Sequence, residues 1–199
     1  MEHFNGRRAL TALSLGLLTL SAAADVVDQT SAAGNTHFNV NNSLVVWQQQ
    51  VVTGLAGVLR SIDLFTTGNE GAPLQAFRVS INRGLGWQTD AADFSTVVTP
   101  VEGVTSIDVS SAALFFAVGE AFMIDVAGLG PDNACCVLNG SAFPGSYAPG
   151  DLYQSGALYN SGAYDMAFNT HVANVPEPAS ILLVASLLAG LGAVQRRRR

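Results

Sequence analysis

The chain has 199 residues, of which 49% are hydrophobic and 12% are charged, with 15 acidic and 9 basic residues and a net charge of −6. A chain this hydrophobic and this weakly charged is not intrinsically disordered, and its length suits one domain or a small pair of domains. All nine basic residues are arginines, and six of them lie near the two ends of the chain. The ends and the middle therefore need separate interpretations.

The first 24 residues have the three regions of a secretory signal peptide. Arg7 and Arg8 precede an uncharged apolar run over residues 9–20, and the small residues Ala22 and Ala24 stand where signal peptidase cuts. We predict export through the general translocon and cleavage after Ala24. A twin-arginine signal fits less well, because the apolar run is strongly hydrophobic. A buried N-terminal helix is the alternative structure for this segment.

The middle of the chain is strongly acidic. Between Asp25 and Asn174 there are 13 acidic residues and three arginines, a net charge of −10. Such a surface repels phosphate groups, so we predict no nucleic-acid partner and no binding to anionic membrane surfaces. Residues 25–37 are predicted to be a polar lead-in, and residues 38–174 to form one domain.

The residue pattern of this domain is typical of β-strands. Phe77, Val79 and Ile81 alternate with polar residues, which is the two-residue period of a half-buried strand. The same alternation recurs over residues 61–65, 106–109, 122–126 and 166–172. Clusters of glycine, proline and asparagine separate these segments. The pattern predicts an all-β fold, an antiparallel β-sandwich.

The sequence contains no motif for a common catalytic or cofactor site. There is no histidine pair at metal-binding spacing, no nucleophile elbow, no phosphate loop and no dinucleotide fingerprint, so we predict neither an enzyme nor a cofactor. His37 and His171 are predicted to be solvated surface residues. The alternative is a hydrolase that uses paired carboxylates, for which the candidate pairs are Asp90 with Asp93 and Asp132 with Asp151. Candidate calcium donors are Asp132, Asn133 and Asp151, although no spaced calcium-loop motif is present.

Cys135 and Cys136 are the only cysteines, and they are adjacent. In an oxidising compartment they are candidates for a vicinal disulfide. Two alternatives stay open, namely two buried thiols on opposite faces of a strand and bridges to another chain.

All four tyrosines lie in one glycine-rich stretch, at positions Tyr147, Tyr153, Tyr159 and Tyr164. Flat rings next to polar side chains suit a sugar, whose C–H faces pack on aromatic rings. Tyr153 and Tyr159, together with Trp87 in a glycine loop, are the candidate sugar contacts. The alternative is that the tyrosines cover one end of the core. Trp47 follows an apolar run and is predicted to be a core residue.

The C-terminal 25 residues combine three features. The first is a stiff proline-containing motif that consists of Val175, Pro176, Glu177 and Pro178. An apolar run over residues 179–194 follows, long enough as a helix to cover about 24 Å, so that small adjustments allow it to span a membrane. The basic tail over residues 195–199 ends in Arg196, Arg197, Arg198 and Arg199, which would stay on the cytoplasmic side and stop transfer.

This end of the chain resembles the PEP-CTERM sorting signal of exported bacterial proteins, because the motif, the span and the basic tail occur in the required order. The resemblance implies recognition by an exosortase, a membrane-embedded enzyme similar to cysteine transpeptidases, which would cut near Pro176, Glu177 and Pro178. The chain would then be anchored only transiently in the inner membrane before it reaches the cell surface or the extracellular matrix.

Several segments of the middle are similar to jelly-roll-like domains that often precede this signal. The segments are residues 48–52, 59–64, 106–110, 119–124 and 165–170. The resemblance implies a jelly-roll-like β-sandwich and carries no catalytic residues. We therefore expect a non-catalytic surface or matrix protein with a structural or adhesive role in exopolysaccharide, with some carbohydrate binding. An extracellular carbohydrate-active hydrolase is the alternative.

Overall fold

The computed structural model describes residues 25–40, 43–68, 74–84, 92–129, 136–142 and 145–174. Within these ranges the chain forms fourteen β-strands, numbered here in chain order, and two short 3₁₀ turns at Ser110–Ala112 and Tyr159–Gly162. No helix of this part of the chain is long and apolar enough to cross a membrane. The predicted signal peptide and the predicted sorting signal over residues 175–199 lie outside the described residues.

The strands form two sheets. The eight-stranded sheet contains β1 (Asp25–Ser31), β2 (Thr36–Val40), β4 (Gly57–Thr67), β7 (Gly103–Asp108), β8 (Phe115–Phe116), β10 (Cys136–Ala142), β13 (Tyr164–Met166) and β14 (Phe168–Asn174). The six-stranded sheet contains β12 (Ala157–Leu158), β11 (Leu152–Gln154), β3 (Val46–Val52), β9 (Ala121–Gly128), β5 (Phe77–Arg83) and β6 (Phe94–Val98), in this spatial order. Strand pairing between described residues is antiparallel throughout.

One apolar core joins the two sheets. Phe77, Val79 and Ile81 on β5 are completely buried, as their alternation predicts. Ile62 and Leu64 on β4 belong to the other sheet and are buried in the same cluster. Because the apolar faces of two antiparallel sheets meet in one core, the all-β prediction is confirmed and the architecture is consistent with a β-sandwich.

The first residues of the described chain differ from the prediction of a polar lead-in over residues 25–37. Asp25–Ser31 form β1, an edge strand that pairs with β14, and β2 begins at Thr36. Strand pairing uses backbone groups, and an edge strand with one solvated face needs few apolar side chains. Residues 25–31 have no alternating hydrophobic pattern, and for this reason the sequence did not predict the strand.

A carboxylate also attaches β1 to the neighbouring turn. The pairing of β1 shifts register between Val27 and Gln29, at Asp28. Asp28 Oδ1 accepts hydrogen bonds from the backbone N–H groups of Gly54 at 2.9 Å and Leu55 at 2.6 Å. Burial raises the pKa of Asp28, although these two donors act in the opposite direction. The polar residue Asp28 thus helps to hold this segment in the fold.

Candidate functional site

A row of polar side chains crosses the outer face of the six-stranded sheet. Gln48 on β3 lies opposite Asp125 on β9, and Asp125 lies opposite Ser80 on β5. Directly opposed residues of antiparallel strands point to the same side of a sheet, and their chain neighbours point to the other. The neighbouring residues Trp47 and Ile124 are in the core, so the row of Gln48, Asp125 and Ser80 faces outward.

A cavity of about 220 Å³ lies over this row. The described residues that line it are Ser43, Val46, Gln48, Arg78, Ser80, Asp125 and Ala127. Pockets for drug-sized ligands measure roughly 300–1,000 Å³, so this cavity suits one small unit such as a single sugar residue. Asp125 is the only carboxylate among these described lining residues.

Amide groups hold the Asp125 carboxylate in place. Gln48 Nε2 donates to Asp125 Oδ1 at 2.9 Å, and Asn82 Nδ2 donates to Asp125 Oδ2 at 2.5 Å. Gln48 is fixed in turn, because its Oε1 accepts a hydrogen bond from the backbone N–H of Gly156 at 2.9 Å. Gln48 is 0% exposed, Asn82 3% and Asp125 7%, so the network is buried although it lies on the outward face. The polar floor of the cavity is thereby preorganised.

Burial raises the pKa of Asp125 to about 6, although the hydrogen bonds from Gln48 and Asn82 act in the opposite direction. The two neighbours that hold this carboxylate are neutral amides, and the charged residue closest along the sheet is Arg78, an exposed residue on β5. Carboxyls with a strongly raised pKa in a cavity are typical of functional sites. Asp125 is therefore the chemically most distinctive group of this face.

Of the predicted sugar contacts, Tyr153 borders this site. Tyr153 lies opposite Gln48 across the β11–β3 pair, and its hydroxyl lies 3.5 Å from Oε1 of Gln50. The ring is half-buried and shares the outward face with the cavity. The third predicted contact, Trp87, lies outside the described residues.

Tyr159 lies on the other side of β3. Its ring packs edge to face against Trp47 at 5.0 Å and against Tyr164 at 5.3 Å. Trp47 is 5% exposed, which confirms it as a core residue. The structure therefore does not bring Tyr153 and Tyr159 into one site, and the ring of Tyr159 closes one end of the core.

Tyr147 also has a structural position. It is 4% exposed, and its ring packs edge to face against Phe168 at 5.1 Å. Its hydroxyl accepts from the backbone N–H of Val52 at 2.9 Å and donates to the carbonyl of Val52 at 2.9 Å. The hydroxyl thus satisfies both backbone groups at the end of β3.

The other candidate acidic residues do not form a second site within the described chain. Asp93 is exposed, and its Oδ2 accepts a hydrogen bond from the backbone N–H of Arg83 at 2.8 Å. Asp151 is half-buried, whereas Asp90, Asp132 and Asn133 lie outside the described residues. No group of three or more histidine, cysteine, aspartate or glutamate side chains in the described part of the chain could hold a metal ion. Calcium binding stays a prediction.

The two described histidines differ in their surroundings. His37 is exposed on β2, as predicted. His171 is not freely solvated, because its Nε2 lies 2.8 Å from Oδ2 of Asp63 on the neighbouring strand β4. Burial of Asp63 opposes its ionisation, but hydrogen bonds from Ser106, His171 and Asn169 outweigh it and lower the pKa of Asp63.

Cys136 is completely buried on β10 and is disulfide-bonded. Cys135, the other cysteine of the chain, lies outside the described residues, so the vicinal pairing stays a prediction.

Sequence reasoning missed the residues that form the cavity. Gln48, Ser80 and Asp125 each occupy an outward position of an alternating strand, which a sequence reader assigns to solvent. The signal that could have found them is Asp125 itself, because the other outward residues of β9, namely Ala121, Met123 and Ala127, are all apolar. A comparison with models of known protein families finds no match for this chain, and a comparison with curated proteins finds none either.

Proposed function

We propose that this chain is an exported, non-catalytic protein of the cell surface or the extracellular matrix, and that its β domain binds exopolysaccharide at the cavity over Asp125. The observation that carries the proposal is the cavity itself, whose polar floor is held in place by the hydrogen bonds from Gln48 and Asn82 to Asp125. A desolvated carboxylate in a cleft is a candidate for a functional group.

The two ends of the chain supply the route to this location. Residues 1–24 support export and residues 175–199 support sorting by an exosortase, with transient anchoring in the inner membrane through residues 179–194. The jelly-roll-like topology belongs to the same proposal, because the segments that resemble such domains lie on β3, β4, β7, β9 and the β13–β14 pair.

A sugar residue fits the chemistry of the cavity. Sugar hydroxyls donate to and accept from polar groups, and the lining offers the Asp125 carboxylate and the Ser80 hydroxyl. Gln48 is fully buried and contributes by holding Asp125 in place. Tyr153 at the border offers an aromatic face for the C–H side of a ring. One short sugar contact binds weakly, so a matrix role would depend on many copies of the protein along one polymer.

Retention on the matrix polysaccharide of the producing organism tests this function. The full-length chain is compared with Ser80→Leu, which fills the cavity, and with Ser111→Leu, which adds the same side chain at an exposed position of the turn Ser110–Ala112, outside the lining of the cavity. We expect Ser80→Leu to lose retention and Ser111→Leu to keep it. Absence of retention of the unmodified chain, or equal retention of both variants, would remove the binding proposal.

Sorting has a separate test. Glu177→Ala should leave a full-length, membrane-bound chain in cells that contain an exosortase, because the residue lies in the cleavage motif. Glu102→Ala removes an exposed glutamate of the domain and serves as the matched control. Release of the Glu177→Ala chain at the normal size would contradict exosortase processing.

A hydrolase that uses paired carboxylates is the second candidate, and one observation favours it. A carboxyl whose pKa is raised to about 6, as in Asp125, can serve as a general acid. Retaining and inverting glycosidases also need a second carboxylate about 5–10 Å away. Hydrolysis of a glycan panel by the full-length chain that disappears in Asp125→Asn would favour this candidate.

A further inference from the structure

The charge of Asp125 has no cationic partner in the described structure. The two groups that donate to it, Gln48 and Asn82, are neutral amides. Among the ion pairs formed between described residues, none includes Arg78 or Asp125. Burying a carboxylate without a cation is unfavourable, and the raised pKa of Asp125 expresses that cost. A ligand with a positive charge would offset this unfavourable free energy.

The carboxylate also has room for further donors. An ionised carboxylate offers about four lone-pair positions, and the amides of Gln48 and Asn82 occupy one on each oxygen. Ser80 lines the same cavity of about 220 Å³, and its hydroxyl, which is hydrogen-bonded to that of Ser95 at 3.0 Å, retains a lone pair for a donor. An ammonium group carries three donors and no acceptor, so it complements a carboxylate of this kind.

We infer that the Asp125 cavity takes an amino sugar, with the protonated amine of the sugar against the Asp125 carboxylate. This inference rests on the proposed polysaccharide-binding function and names the class of polymer, namely one that contains free amino groups. The net charge of −10 over residues 25–174 attracts such a polymer at long range.

Two other charged ligands fit less well. A calcium ion needs six or more oxygen ligands, and Asp125 is the only carboxylate among the described lining residues. An acidic sugar would place its carboxylate close to that of Asp125, and only Arg78 at the exposed rim would favour it. Arg78 therefore distinguishes the two kinds of ligand, because its positive charge opposes binding of an amine and favours binding of a carboxylate.

The test compares the binding of glucosamine oligomers and matched N-acetylglucosamine oligomers to the full-length chain by calorimetry. Acetylation removes the positive charge and keeps the ring. A hydrogen bond between two charged groups corresponds to roughly tenfold or more in affinity, so we expect the amine form to bind about ten times more tightly or better. Asp125→Asn should abolish this preference, and Arg78→Gln should increase it.

Asp108→Asn is the matched control, because it removes the same charge from an exposed position on the other sheet and should keep the preference. Equal binding of the two oligomers would overturn the inference, and so would equal losses in Asp125→Asn and Asp108→Asn, which would indicate general electrostatic attraction. Calcium binding that is lost in Asp125→Asn would assign the cavity to a metal instead.

The inference and the proposed function can fail separately. Retention on the matrix polymer that depends on Ser80, together with no preference for the amine, would leave the proposed function standing and remove the amino sugar. Loss of both would remove both. If Asp125→Asn does not fold, Arg78→Gln still tests the charge of the ligand, because Arg78 is exposed and its replacement should leave the fold intact. A weaker preference for the amine in Arg78→Gln would contradict an amino sugar.

Discussion

The Asp125→Asn substitution should stabilise the protein at neutral and alkaline pH. Burial raises the pKa of this carboxyl from 3.8 to about 6. The folded state therefore binds the proton more tightly than the unfolded state, and the stability of the protein falls as pH rises from about 4 through about 6. The difference between the two pKa values corresponds to about 3 kcal/mol of unfolding free energy at about 1.4 kcal/mol per pKa unit.

The asparagine variant keeps the shape of the network. One carboxylate oxygen becomes an NH₂ group, which would face the NH₂ donor of Gln48 or Asn82. Asn82 Oδ1 is buried without a hydrogen-bond partner among the described residues, so rotating the Asn82 amide supplies an acceptor. The variant should then be about as stable as the parent near pH 4, where Asp125 of the parent is largely protonated, and up to about 3 kcal/mol more stable near pH 8.

Urea denaturation followed by tryptophan fluorescence measures this difference across the pH range. Asp108→Asn is the control with the opposite sign, because hydrogen bonds from the Ser110 side chain and backbone lower the pKa of Asp108. That variant should lose stability at neutral pH and not in acid. A difference between Asp125→Asn and the parent that is the same at about pH 4 and pH 8 would refute the argument that Asp125 is charged and desolvated.

Three further predictions concern the fold that carries the cavity. Tyr147→Phe should lower the unfolding free energy by about 1–3 kcal/mol, because both backbone groups of Val52 lose their partner, and urea midpoints should show much less change for Tyr153→Phe. Gly140→Ala should cost about 3 kcal/mol or more, since a Cβ there would overlap the carbonyl oxygen of Asp165 and the ring of Phe38, and an unchanged melting temperature would contradict this packing. Asp63→Asn should destabilise the protein at neutral pH, and the loss should disappear in acid as pH falls through the lowered pKa of Asp63, which denaturation at several pH values can follow.

The core strands were predictable because their signal is local. The spacing of Phe77, Val79 and Ile81 predicts a half-buried strand without any knowledge of the neighbouring strands. β1 was not predictable in this way, because an edge strand is held by its backbone and its polar side chains resemble those of a loop.

The cavity depends on information that a single segment does not contain. Asp125 meets Gln48 from 77 positions away in the sequence and Asn82 from 43 positions away. Only the order β3, β9, β5 and the register between these strands place the three polar side chains together. The tyrosines also depend on packing that the sequence does not reveal. Their clustering in one stretch suggested a sugar site, but Tyr159 packs against the core and only Tyr153 lies beside the cavity.

The position of bound sugar on the full-length chain is the most direct test of the central claim. Addition of the soluble matrix polysaccharide should shift the side-chain amide resonances of Gln48 and Asn82 in NMR spectra, because these groups hold Asp125 at the floor of the cavity. The side-chain amide of Asn169, on the eight-stranded sheet, should not move. Shifts confined to Asn169 and its neighbours, or no shifts at a polymer concentration that retains the protein, would contradict a binding site on the six-stranded sheet.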